Sequence, residues 1–242
     1  MQNRIEHLYP NLLDGEPREH RSDIEAQLPR QFEEEAVVLL ATKSGYLQAI
    51  DHDGLLSLAE RQGILIRLRR RPGDFVAESS ALALLWPPGK LSDDERGSVQ
   101  SCFFYGWYRT PVQDIEYAID QLVEVAVRAL SPGINDPFTA ISCLEWIGVA
   151  LIKVGQRKIP SACHYDEESH LRLVTDVTDF AGIAAAALNQ IRQYGCDSMA
   201  VVTRMLDVLA RVGVELKQEE DRRVLFGHAQ AMREDGLAGC AK

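Results

Sequence analysis

The densest group of residues able to do chemistry lies between Arg109 and Thr139. The stretch RTPVQD brings together the guanidinium of Arg109, the amide of Gln113 and the carboxylate of Asp114. A second stretch, ALSPGINDP, follows directly on Arg128 and supplies Ser131, Asn135 and Asp136. Arg109, Gln113, Asp114, Arg128, Ser131, Asn135 and Asp136 are therefore the candidate ligand-binding residues. Asp114 and Asp136 are the two acids that a hydrolase would use as a proton-transferring pair. Their spacing opposes that use, because most of the intervening chain reads as helix rising 1.5 Å per residue, which separates them by more than about 20 Å. No catalytic residue is assigned on this basis. A hydrolase working through Arg109, Asp114, Asn135 and Asp136 stands as the alternative to a binding site.

Other groupings point to less. His164, Asp166 and His170 in CHYDEESH are spaced i, i+2, i+6, which suits neither a helix face nor a zinc motif, so a surface loop and no metal are expected. Cys163 and His164 are neighbours in sequence, whereas catalytic thiol–imidazole pairs are defined in space. The five cysteines are odd in number and widely spaced, with no C-x-x-C pair, which predicts free thiols in a reducing compartment. No G-x-S-x-G, P-loop or dinucleotide-binding glycine pattern occurs, and no cofactor is implied. A net charge of −10 argues against general nucleic-acid binding. The one basic triplet, Arg69–Arg71, reads as a solvated strand end.

The elements that must position the candidate residues follow from periodicity and turn chemistry. Residues 1–35 are polar, carry Pro10, Pro17 and Pro29, and read as an arm or linker. A small α+β module is expected over 36–90. AVVLLAT and YLQAI read as two strands joined tightly at Lys43-Ser44-Gly45. The helix LLSLAERQ, with Asp53 as a possible cap, ends at Gly63. ILIRLRR alternates like a half-buried strand, and Arg71-Pro72-Gly73-Asp74 reads as a type II turn before the strands FVAE and ALALLW. From Leu91 the texture becomes helical, and a bundle is expected over 91–235 with a tail at 236–242. Ser92 starts its first helix, and FFYGWY is a short strand or connector. A long helix from Pro111 to Leu130 places Asp114, Gln121 and Arg128 on one face, with a Glu124–Arg128 pair. Asp136 caps the next helix, which starts at Pro137 and runs to about Val154. Further amphipathic helices are expected at 176–194, 197–213 and 216–234, with Asp197 capping the second of them. The fold class is α+β, mostly helical. No window approaches the roughly 18 to 20 unbroken apolar residues that span a bilayer.

ALSPGINDPFTA, with RTPVQD upstream and SGYLQAID and RPGDFV earlier, closely resembles the bacterial predicted membrane proteins catalogued as domain of unknown function 2254. The likeness covers roughly residues 37 to 212. That family usually shows Gly and Pro soon after the G-D-F-V turn, where this chain has Ser79 and Ala81. Family members carry transmembrane helices ahead of such a region. The resemblance therefore implies attachment to the cytoplasmic face of the bacterial inner membrane, through a hydrophobic part that this sequence does not contain. No activity comes with it. The expectation is a soluble regulatory or sensing domain that binds a small ligand or a protein partner, with a purely structural assembly module as a further alternative. A homo-oligomer is expected, since a two-fold dimer would bring the polar ends of neighbouring long helices together.

Overall fold

The computed structural model describes Ile5, Leu8, Tyr9, Asn11, Leu12 and residues 21–240. The chain forms an α+β, mostly helical fold of two units. One, rich in strands, comprises Pro17–Asp114 and Pro160–Val177; the other, helical, comprises Met1–Glu16, Ile115–Ile159 and Thr178–Lys242. The division differs from a single boundary near residue 90, because residues 160–177 return to the strand-rich unit as two strands.

In the strand-rich unit, α1 (Arg21–Gln27) and α2 (Phe32–Glu35) lead into β1 (Val37–Leu40) and β2 (Gly45–Ile50). Then come α3 (His52–Gln62), β3 (Leu65–Leu68), β4 (Phe75–Val76), β5 (Ala81–Trp86), α4 (Asp93–Ser101) and β6 (Phe103–Gly106), with β7 (Cys163–Tyr165) and β8 (Leu171–Val174) added later. One sheet has the order β1-β5-β3-β8-β7 and the other β4-β2-β6. The strands β1 and β2, expected as a tight pair, therefore belong to different sheets. Asp51 rather than Asp53 caps α3, accepting from Gly54 N at 2.9 Å, and Gly63 closes it in the left-handed conformation.

Strand β3 was expected to be half-buried, but all four of its residues are buried. It is central in its sheet, and both faces are covered. Ile66 and Leu68 join the core that includes Leu47, Ile50, Leu55 and Val76, while Leu65 packs with Phe32 and Val174. Arg67 is tolerated at this depth because Glu33 of α2 pairs with its guanidinium, and the same carboxylate reaches Arg69 at 2.8 Å. Phe32, Ile5 and Tyr9 lie in cores, so the described part of the expected polar arm is anchored structure.

Ser79 has φ +65°, at the place where the resembled family usually carries glycine. A left-handed conformation costs a side-chain-bearing residue about 1 kcal/mol or more. Ser79→Gly is therefore expected to stabilise the protein by roughly that amount, less the entropy that glycine adds to the unfolded chain. Denaturant titration checks this; unchanged or reduced stability would contradict it.

The helical unit contains α5 (Ile115–Ala129), α6 (Pro137–Gly155), α7 (Phe180–Gly195), α8 (Met199–Glu215) and α9 (Glu219–Cys240). The last helix occupies part of the expected tail. Ser198, not Asp197, stands at the N-cap of α8. The spacing predicts a buried stripe of Val177, Phe180, Ala184, Ala187, Leu188 and Ile191 on α7; all but Val177 are buried, and Val177 lies outside the helix, which starts only at Phe180 after the cap Asp179. Helix α6 packs chiefly against α5 and α8. It is the one helix among the described residues long and apolar enough, by length and composition, to cross a membrane. Half of that apolar stretch is buried within the protein, including Leu144, Ile147 and Leu151, so packing in the bundle accounts for much of its hydrophobicity.

Candidate functional site

Three separated stretches converge in the strand-rich unit. In RPGD, Asp74 N donates to Arg71 O at 3.2 Å, and Gly73 has φ +101°, as a type II turn requires. Gly73 N donates to Leu47 O at 2.7 Å, and Leu47 N to Asp74 O at 2.9 Å, tying this turn to β2. From the same strand, Gln48 Nε2 donates to Tyr108 O at 2.8 Å. The Gln113 amide brackets Ile50: its Oε1 accepts from Ile50 N at 2.9 Å, and its Nε2 donates to Ile50 O at 3.2 Å. A side-chain amide carries both an NH2 donor group and a carbonyl acceptor, so it replaces a missing strand partner at the end of β2.

Asp114 is not on the α5 face expected from the sequence, because the helix begins one residue later. The bends at 111–113 turn its carboxylate back into the strand-rich unit, where only 4% of the side chain is exposed. Its Oδ2 accepts from Arg109 Nε at 2.9 Å and Nη2 at 2.8 Å. The carboxylate also fills the space beside Gly73, where a Cβ would stand 2.8 Å from Asp114 Cγ. Sequence reasoning placed Arg109, Gln113 and Asp114 in one group but missed Gln48 and Gly73, although both lie in stretches that carry the family resemblance.

Arg128, Ser131, Asn135 and Asp136 belong to the helical unit and build the corner between α5 and α6. Arg128 pairs with Glu124 at 2.5 Å, one helical turn away, as its spacing predicts. Ser131 Oγ donates to Arg128 O at 2.7 Å. Asn135 adopts φ +47°, and its N–H donates to Ser131 O at 2.9 Å. Asp136 caps α6: Oδ1 accepts from Phe138 N at 3.1 Å and Thr139 N at 3.2 Å, and Oδ2 accepts from Thr139 Oγ1 at 2.6 Å. The hydroxyl of Thr139 and then its N–H hold the Asp136 carboxyl below the usual carboxylate range. Thus the side chains of Arg128, Ser131 and Asp136 and the backbone N–H of Asn135 are engaged locally, and Asp114 and Asp136 belong to different units.

Asp136→Ala should lower the melting temperature by a few degrees at neutral pH, and Asp136→Asn by less. The depressed pKa sets the pH dependence. The charge contribution is fully present above the unfolded carboxylate value, about 3.9, and is lost as pH falls through the lower folded value. The difference between wild type and Asp136→Ala should therefore shrink in melts taken progressively below about pH 4. Equal losses for Ala and Asn would show that a partner other than the cap depends on the charge.

In CHYDEESH, Cys163–Tyr165 are strand β7, and the expected surface loop is the largely exposed turn at Asp166–His170, which leads into β8. The turn is built by Asp166, which accepts from the backbone N–H groups of Glu168 at 3.0 Å and His170 at 2.8 Å, and from Arg172 Nε at 2.7 Å. Burial raises the Asp166 pKa, but the His170 and Arg172 hydrogen bonds and the charges of both residues outweigh it and hold the group at about 2. The carboxylate is thus committed to the turn.

Residues 2–211 match the family of predicted membrane proteins called domain of unknown function 2254. The chain belongs to this family. Curated relatives include uncharacterized proteins of Mycobacterium bovis, Mb1321c, and Mycobacterium tuberculosis, Rv1290c. Each is 31% identical over 200 residues, covering 81% of this chain. The match spans 38% of each relative, so the chain corresponds to well under half the length of the curated proteins it resembles. No solved structure matches it. The stretches RPGD, RTPVQD and ALSPGINDP all fall within the family match.

Proposed function

We propose that this chain is a regulatory or sensing region of a membrane-attached bacterial protein, held at the cytoplasmic face of the inner membrane, that binds a small ligand or a protein partner. The observation that carries the proposal is the use made of the polar residues in the family-matching stretches. Gln113, Asp114 and Asp136 hold connectors and helix starts in place, while large apolar side chains, Trp107 and Phe138 among them, stand exposed nearby in sequence. Exposed aromatic side chains of this size, in each unit, suit binding. The hydrolase reading is weaker, because Arg109 already engages Asp114 and Asp136 is spent as a cap. Cys102, Cys143, Cys163 and Cys196 are free thiols, which supports a reducing compartment. A second copy of the chain is one possible protein partner. Arg109, Arg128 and their acids do not need it, since each finds a partner within its own unit.

The test is to incubate the purified protein with ester, phosphate-ester and peptide substrates, alongside Asp114→Asn. No turnover above buffer is expected from either. Turnover in the wild type that Asp114→Asn abolishes, with folding intact by circular dichroism, would overturn the binding reading in favour of the hydrolase.

A further inference from the structure

We infer that the loop following β6, together with the outer face of the three-stranded sheet, docks on the interfacial layer of a lipid bilayer; the inference rests on the membrane-attached reading above and assigns it a contact surface. Along β6 the side chains alternate. Phe103 is buried and Tyr105 packs against the same core, while Phe104 faces outward with 52% exposure. Phe75 on β4 is 60% exposed and meets Tyr46 of β2 edge-on, with ring centroids 5.2 Å apart. Beyond Gly106 the alternation stops, and the consecutive residues Trp107 and Tyr108 are 88% and 79% exposed. The backbone bends at both residues and leaves both side chains bare.

The bend is braced on both sides. Gln48 holds Tyr108 O, and the next residue, Arg109, is bound to buried Asp114. The protein thus holds two large aromatic side chains in water rather than letting them fold back onto the sheet. Trp and Tyr join an apolar body to a polar tip, the combination that concentrates at membrane–water interfaces. Local charge fits the same occupant. From Arg96 to Gln113 the chain carries no Asp or Glu, although it has 36 acidic residues and a net charge of −10. The charged side chains of that stretch are Arg96 and Arg109, so no carboxylate within it repels anionic headgroups. Adjacent Trp and Tyr side chains bare at a bend, with their polar tips in water, match the interfacial layer of a bilayer.

The experiment uses the full chain with Trp86→Phe and Trp146→Phe, which leaves Trp107 as its one tryptophan. It is mixed with phosphatidylcholine–phosphatidylglycerol vesicles, with and without brominated acyl chains. Blue-shifted Trp107 emission quenched by the brominated lipid is expected. In sedimentation with the same vesicles, the otherwise wild-type chain should bind, and Trp107→Ser/Tyr108→Ser should bind roughly tenfold or more weakly. Both side chains are exposed, so the double variant should keep its wild-type circular dichroism. Failure of the wild type to sediment with vesicles would overturn the inference, as would binding that the double variant retains. Concentration-dependent dimerisation abolished by the double variant, without vesicle binding, would assign the surface to a second copy instead. A hydrolytic activity would undo the regulatory reading while leaving the vesicle result to stand or fall separately.

Discussion

Gly73→Ala is expected to destabilise the protein by about 2–4 kcal/mol, a large loss for one methyl group. Two costs combine. The backbone at Gly73 has φ +101°, which a side-chain-bearing residue rarely adopts, and the added carbon would meet the Asp114 carboxylate. That carboxylate cannot simply swing aside, because it is buried and held by Arg109. In an Asp114→Ala background the steric part disappears and only the backbone strain remains, so the second loss should be smaller than the first. Urea titration of the four proteins checks the non-additivity. Strictly additive losses would mean that the turn and the ion pair are not coupled.

Gly148→Val in α6 should cost about 2–3 kcal/mol through overpacking. A Cβ on Gly148 would stand 2.6 Å from Val208 Cγ1, and a β-branched Val208 has few rotamers into which to retreat. Gly213, in α8, provides the contrast. Nothing lies within 4 Å of its notional Cβ, so Gly213→Ala should stabilise the protein by up to about 1 kcal/mol through helix propensity. Opposite signs in thermal melts would show that close approach between α6 and α8, rather than glycine in general, sets the Gly148 effect. A neutral Gly148→Val would contradict the packing described here.

The helices were legible where periodicity and caps agreed. Asp136-Pro137 announces α6, and the α7 stripe appears as spaced from Phe180 onward. The sheet pairings were not legible, because tertiary partners decide them: β1 and β2 adjoin in sequence yet pair with strands far along the chain. Arg67 shows the same limit. An alternating apolar–basic strand reads as half-buried until a carboxylate from another element, Glu33, makes burial of the charge tolerable. The Asp114 error has a local cause. Pro111 suits a helix start, but the bends at 111–113 delay the helix until after Gln113 and Asp114 have turned to their partners. Spacing thus groups the candidate residues, while the internal bonding of Gln113 and Asp114 depends on contacts with Ile50 and Gly73 that spacing does not encode.

The account turns on RTPVQD being bonded into the strand-rich unit, and a double-mutant cycle on Arg109 and Asp114 tests this most directly. Equilibrium unfolding of wild type, Arg109→Ala, Asp114→Ala and the double variant should give a coupling energy of about 1–3 kcal/mol, each single change destabilising and the double one costing less than their sum. A coupling near zero, with both single variants as stable as the wild type, would contradict the structural role and return these residues to the search for a ligand.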